Sequence, residues 1–206
     1  YPLRRQRQMC IRDRLDTIWM SLNFSNRMQQ IMFNNILFIG LGGAGQRHLR
    51  IFRELLPDAQ LSAYRHTKKT PLLNVDFTVD ENGTIEKDYN VKLFDNVNKA
   101  FLVAKPELTV ISTPTSKHRD FMMLAVEAGS SVFVEKPWAE SLDRFDEFKN
   151  IIRDKELQFH VSFQRRFHPL IYKTYQAVSK GVIGNVMAAS FTVISNVPFW
   201  HPYEDW

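Results

Sequence analysis

The residues Gly40-Leu41-Gly42-Gly43-Ala44-Gly45 place glycines at the spacing G-x-G-x-x-G. The chemistry this spacing serves is anion binding by main chain. Gly40 permits a sharp turn, Gly42 lets the backbone approach a pyrophosphate, and Gly45 allows a helix to pack closely, while Gly43 and Ala44 open that helix at its positive end. The pattern alone is weakly specific. About 20 positions further on, NAD-preferring folds carry a carboxylate that binds the adenosine ribose hydroxyls. Here that position is Arg65, followed by His66, Lys68 and Lys69. Arg65 could instead grip a 2′-phosphate, and one charge-assisted contact of about 1.5 to 3 kcal/mol amounts to about 10 to 100-fold preference. The expected cofactor is therefore NADP, with NAD as the alternative, and a solvated basic loop is the competing reading of these residues.

These residues need elements to position them. Ile36-Leu37-Phe38-Ile39 is a short apolar run of the kind found in parallel strands buried on both faces. From Gly43, Leu49, Phe52 and Leu56 recur at helical spacing until Pro57. A second strand from Gln60 to Tyr64 completes a βαβ unit. Asn74 to Lys87 alternates around Asn82-Gly83, which suggests an inserted hairpin turning at that dipeptide. There follow a strand from Val91 to Phe94, a helix from Val97 to Ala104 and a strand from Leu108 to Ser112. A helix from Lys117 to Ala128 presents Phe121, Leu124, Ala125 and Ala128 inward and stops at Gly129. After the strand Val132 to Val134, Ser141 can cap a helix whose inward face is Phe145, Phe148 and Ile152, and Phe159 to Ser162 is a further strand. The alternation predicts an α/β fold, a Rossmann doubly wound parallel sheet over residues 32–163. Residues 164–206 begin a truncated α+β substrate domain, with a helix over Pro169 to Lys180, a turn at Gly181 to Asn185 and a long strand from Val186 to Ser195.

Composition removes several classes of function. The chain is 44% hydrophobic and 24% charged, and no apolar run approaches the ~18 residues of a membrane span. The net charge of +5 is uneven: within residues 1–14 five arginines face one aspartate, so +4 lies there and the rest carries +1. That is no polyanion-binding surface, and neither nucleic acid nor membrane is an expected partner. Cys10 is the only cysteine, which excludes a disulfide framework or thiolate metal site and fits a reducing, cytoplasmic compartment. The run Met9-Cys10-Ile11-Arg12-Asp13-Arg14 resembles the in-frame translation of a transposon end used in sequencing libraries. Residues 1–31 are accordingly read as an artefact or a disordered leader, with Met20, Met28 or Met32 as the natural start.

Several signatures occur in order: the glycine turn continuing to Arg47-His48; Ser112-Thr113-Pro114-Thr115 with His118; Ala128-Gly129; Glu135-Lys136-Pro137; Gln164-Arg165-Arg166-Phe167-His168-Pro169; and Gly184-Asn185-Val186. In these the chain resembles the glucose-fructose oxidoreductase, inositol dehydrogenase and MocA family from about residue 34 onward, Glu-Lys-Pro being the most diagnostic part. The resemblance implies an enzyme passing a hydride between a nicotinamide and a hydroxyl-bearing carbon of a sugar or cyclitol, homo-oligomeric at full length. It implies that Lys136 orients the hydroxyl or relays its proton. It further implies that Thr113, Pro114 and Glu135 line the cofactor crevice through backbone and ribose contacts, with His118 nearby, and that Arg165, Arg166 and His168 lie near substrate. Without it, Lys136 is a loop lysine, His118 a capping or packing residue, and the arginine pair a salt-bridge partner.

The family's second active-site group, a later histidine or aspartate, has no position here. His201, Tyr203, Glu204 and Asp205 cluster near the end without catalytic spacing, and His160 reads as a structural histidine. The fragment is expected to bind cofactor but turn over poorly. The alternative is a non-catalytic, cofactor-sensing Rossmann protein. A nucleotide-sugar or methyl-transfer enzyme would share the glycine turn but leave Glu135-Lys136-Pro137 unexplained.

Overall fold

The computed structural model describes residues 33–65 and 71–194. The leader expected over 1–31, His66, Lys68, Lys69, Ser195 and the cluster from His201 to Asp205 lie outside the described residues. Of the described residues, those from 33 to 162 form one compact unit and those from 163 to 194 a second.

The first unit alternates strands and helices: β1 (Asn35–Ile39), α1 (Gly43–Leu55), β2 (Gln60–Tyr64), α2 (Ile85–Asp88), β3 (Val91–Phe94), α3 (Val97–Ala104), β4 (Leu108–Ile111), α4 (His118–Glu127), β5 (Ser131–Val134), α5 (Phe145–Asp154) and β6 (Phe159–Val161). The strands form one parallel sheet in the order β3-β2-β1-β4-β5-β6. This is the doubly wound Rossmann arrangement, in which the strand order reverses between β1 and β4. Alternation along each strand divides the core. Ile36 and Phe38 join Leu49 of α1, Leu61, Val91 and Val110 on one face. Leu37 and Ile39 join Ala100, Ile111, Met122, Val126, Val134 and Phe148 on the other. Because β1 is central, all four of these β1 side chains are fully buried, each contributing about 1.5 to 3 kcal/mol.

Three local expectations are corrected. The inserted segment is no hairpin about Asn82-Gly83. A single antiparallel bridge joins Leu73 to Val79, the chain reverses at Asp76-Phe77 with Phe77 at φ 68°, and the Asn74 amide donates to the Thr78 carbonyl at 2.8 Å. Downstream of Gly83, Thr84 caps α2 by accepting from the Lys87 amide, a local side-chain bond that outcompetes strand pairing. On α4 the buried residues are His118, Met122, Met123, Ala125 and Val126, a face rotated from the expected one; Phe121 is half-buried and Ala128 exposed. Gly129 does follow this helix with φ 80°. Finally, Ser141 does not cap α5. Its hydroxyl donates to Asp143 Oδ2 at 2.7 Å, and Arg144, at φ 60°, occupies the cap position without a side-chain cap bond.

The second unit holds a 3₁₀ turn (Gln164–Phe167) and α6 (Pro169–Ser179). Residues 186–194 carry no regular secondary structure, which corrects the long strand expected from Val186. A strand requires a partner for its amides and carbonyls, and among the described residues none pairs with this segment.

Candidate functional site

Register aligns the carboxyl ends of the strands. Ile39 pairs with Tyr64 on one side and Ile111 on the other, and Ile111 pairs with Val134. Gly40, Arg65, Ser112 and Glu135 consequently leave the sheet in one row. Main-chain bonds continue that row: the Gly40 amide donates to Tyr64 at 3.2 Å, Ser112 to Ile39 at 2.9 Å, and Glu135 to Ile111 at 2.9 Å. In open α/β sheets the ligand crevice lies at this edge, where the strand order reverses.

Each of the three motif glycines answers a different constraint. Gly40 sits at φ 91°, and a Cβ there would come within 2.8 Å of the Ser112 carbonyl oxygen. At Gly45 a Cβ would collide with the Gly40 carbonyl and lie 2.7 Å from Ser112 Oγ, an oxygen already donating to Gly40 at 2.9 Å. Gly42 is the opposite case, since a Cβ would meet nothing within 4 Å. Gly42 is also the N-cap of α1, with no side-chain cap bond and no acidic residue in the first turn over Gly43, Ala44 and Gly45. Close by, Thr113 Oγ1 is buried without a hydrogen-bond partner among the described residues, and its methyl lies 3.0 Å from the Cβ position of Gly40. Open space over an uncapped helix start, beside an unsatisfied hydroxyl, fits the phosphates of a dinucleotide.

Glu135 and Lys136 follow β5. The Glu135 carboxylate accepts from His48 Nε2 at 2.7 Å and lies 3.5 Å from the Arg47 guanidinium, and its second oxygen accepts the Lys136 amide at 3.2 Å. Burial pushes this carboxyl up, but the His48 hydrogen bond, the charges of His48 and Arg47 and the Lys136 amide outweigh it and hold the pKa down to about 2. Glu135, expected with Thr113 and Pro114 to line the crevice through backbone and ribose contacts, has its carboxylate bonded to His48 and the Lys136 amide. The His48 ring also packs edge-to-face with Phe133 of β5, their centroids 5.2 Å apart. Lys136 itself is exposed.

His118 is buried, and each ring nitrogen faces a carbonyl: Nδ1 that of Pro137 at 2.9 Å, Nε2 that of Thr113 at 2.8 Å. Each nitrogen thus faces main chain, the one carrying the proton donating to its carbonyl. Pro114 is exposed and its carbonyl accepts from Lys117. Arg65 is half-buried at the end of β2, its amide donating to Phe94 at 3.3 Å; burial lowers its pKa, with Glu86 opposing. In the second unit Arg165 and Arg166 are exposed in the 3₁₀ turn. His168 caps α6, its Nδ1 accepting from the Leu170 amide at 3.3 Å, a local role the substrate reading did not anticipate. His160 stacks on Phe133 at 5.4 Å.

Two residues carry more of this site than their spacing suggested. The sequence reading noted His48 only as part of a motif. Gln46 is fully buried, donating to the Leu41 and Pro71 carbonyls and accepting the Leu73 amide. A polar residue at an inward position of α1 was the available signal. Among the described residues no group of three or more His, Cys, Asp or Glu could hold a metal, and no helix is long and apolar enough to cross a membrane.

The fold and this edge define a dinucleotide-binding Rossmann domain. The family model described as "Oxidoreductase family, NAD-binding Rossmann fold" (GFO_IDH_MocA) matches residues 34–163, and the chain belongs to that family. A 78-residue stretch is 33% identical to scyllo-inositol 2-dehydrogenase (NAD(+)) of Bacillus subtilis (strain 168), covering 38% of this chain and 23% of that protein. D-glucoside 3-dehydrogenase of Escherichia coli (strain K12) is 26% identical over 117 residues, 56% of this chain and 33% of its own length. The match thus spans 23% and 33% of the lengths of these two relatives. The structure of Lactobacillus casei scyllo-inositol dehydrogenase with bound NAD(H) and scyllo-inositol superposes with a TM-score of 0.60 at 24% identity, over 73% of this chain and 42% of that one, which establishes the shared fold.

Proposed function

We propose that the chain is the cofactor-binding part of an NAD(P)-dependent oxidoreductase acting on a hydroxyl-bearing carbon of a sugar or cyclitol, with NADP preferred. The observation that carries this reading is the open, uncapped start of α1 at Gly42, on the same sheet edge as Lys136. The first-turn amides after Gly42 would hold the pyrophosphate, with Gly40 and Gly45 setting the turn's shape, and Thr113 Oγ1 would supply one further hydrogen bond at the crevice wall. Arg65 would pair with a 2′-phosphate at the adenosine end. When bound, the dinucleotide supplies the hydride acceptor or donor. Lys136 would orient the substrate hydroxyl and carry its proton at Nζ. The identities of the two relatives named above, an inositol and a glucoside dehydrogenase, support a polyhydroxylated substrate.

The test is a fluorescence titration of the chain with NADPH and NADH, with Gly42→Val alongside. Tighter NADPH binding, lost in a folded Gly42→Val protein, is the expected result. A folded chain that binds neither nucleotide would overturn the reading.

A further inference from the structure

Lys136 lies between two residues, Glu135 and Pro137, that each contact a buried histidine. On the amide side, Lys136 N–H donates to Glu135 Oε2, whose other oxygen is held by His48 Nε2 at 2.7 Å. On the carboxyl side, the Pro137 carbonyl faces His118 Nδ1 at 2.9 Å. His48 lies three residues beyond Gly45 on α1, and His118 begins α4 while its other nitrogen faces the Thr113 carbonyl at 2.8 Å. Both rings are under a tenth exposed, His48 at 7% and His118 at 1%. A side chain placed only to fill space does not need polar contacts on both sides of one exposed lysine; His48 has one with the Glu135 carboxylate before it and His118 one with the Pro137 carbonyl after it, from different elements.

We propose that His48 and His118 are a pair of positioning residues that fix the main chain at Lys136, His48 acting through Glu135 on its amide and His118 acting on the Pro137 carbonyl. Resting on the reading of Lys136 as the group that handles the substrate proton, the arrangement ties that lysine to the glycine turn through α1 and to the crevice wall through Thr113. A ligand seated on the start of α1 and the lysine beyond β5 then share one frame. Neither histidine touches the reacting atoms in this scheme.

The chain labelled with 15N-lysine tests this. The Lys136 amide, assigned through Lys136→Arg, is followed by hydrogen exchange beside Lys99 and Lys155, whose amides donate to the Asn96 side chain that caps α3 and to the Ile151 carbonyl at the end of α5. In His48→Ala and in His118→Ala, exchange at Lys136 should quicken by about tenfold or more, with Lys99 and Lys155 unchanged. His48→Gln, which keeps an N–H for Glu135, should restore much of the protection. Unchanged exchange at Lys136 in either alanine variant overturns the proposal, and so does equal acceleration at all three lysines, which would make the histidines general fold determinants. Adding NADPH to the wild-type sample separates the two readings: a Lys136 amide protected by the histidines yet insensitive to NADPH upholds the positioning pair and sinks the cofactor role of this loop.

Discussion

Glu135 and His48, 87 residues apart in the chain, meet at 2.7 Å and bridge the end of β5 to the helix that begins at the glycine turn. The pair is largely withdrawn from water, with side-chain exposures of 11% and 8%. Its energetics follow from that setting, since removing His48 takes from a carboxylate largely withdrawn from water its shortest contact and leaves Arg47 at 3.5 Å and the Lys136 amide to hold it.

Glu135 makes stability depend on acidity. Against burial, the His48 hydrogen bond and the charges of His48 and Arg47 hold the Glu135 carboxyl down to about 2, below the ordinary carboxylate value of 4.5. A depressed carboxylate stabilises the fold fully above its unfolded pKa and ceases to do so as pH falls through the folded value, so the contribution, on the order of 3 kcal/mol, is lost between about pH 5 and pH 2. Denaturation of Glu135→Gln across that range should show a shallower acid limb than wild type. An identical limb would show that this carboxyl is not depressed.

Gly45→Ala and Gly42→Ala should separate folding from binding. At Gly45 the new methyl runs into the Gly40 carbonyl and Ser112 Oγ, and a loss of about 2 kcal/mol or more is expected in urea unfolding. At Gly42 the methyl enters open space, so stability should change by less than about 0.5 kcal/mol while both nucleotides bind about tenfold more weakly. Equal stability losses at the two positions would contradict the assigned roles.

Arg65→Ala should weaken NADPH binding by about 10 to 100-fold and leave NADH within about threefold, measured in parallel titrations. Because Glu86 acts electrostatically on Arg65, Glu86→Gln should strengthen NADPH binding modestly, by about two to fivefold at low salt. Equal effects of Arg65→Ala on the two nucleotides would remove the basis for an NADP preference.

Gln46→Leu keeps the side chain's bulk and removes its polar ends. The Pro71 carbonyl and Leu73 amide then lose their partners, and a cost of about 2 to 3 kcal/mol is expected. Hydrogen exchange should quicken first at Leu73, ahead of β1. Uniform exchange across the unit would place the effect elsewhere.

The legible parts of the site were those governed by local chemistry. Strand β1, the helix from Gly43, β2, β3, α3 and the left-handed Gly129 follow from apolar periodicity and glycine's freedom at positive φ. The errors arose where two local solutions competed. Around Gly83 an alternating pattern permitted a hairpin, but the Thr84 cap and burial of Ile85 selected a helical turn. At Ser141 a plausible cap lay three residues before the observed one, and its hydroxyl bonded Asp143 instead.

Sequence by itself determined that a parallel α/β sheet would carry a glycine turn after its first strand, because hydrophobic spacing and glycine placement act within a dozen residues. It also singled out Lys136, through resemblance. Only the tertiary structure decided that Glu135 would face His48, that His118 would join the Thr113 and Pro137 carbonyls, and that Gln46 would hold the chain at Leu73. Those contacts span from 5 to 87 residues, and their partners are chosen by strand order and helix docking, which no local pattern of residues encodes.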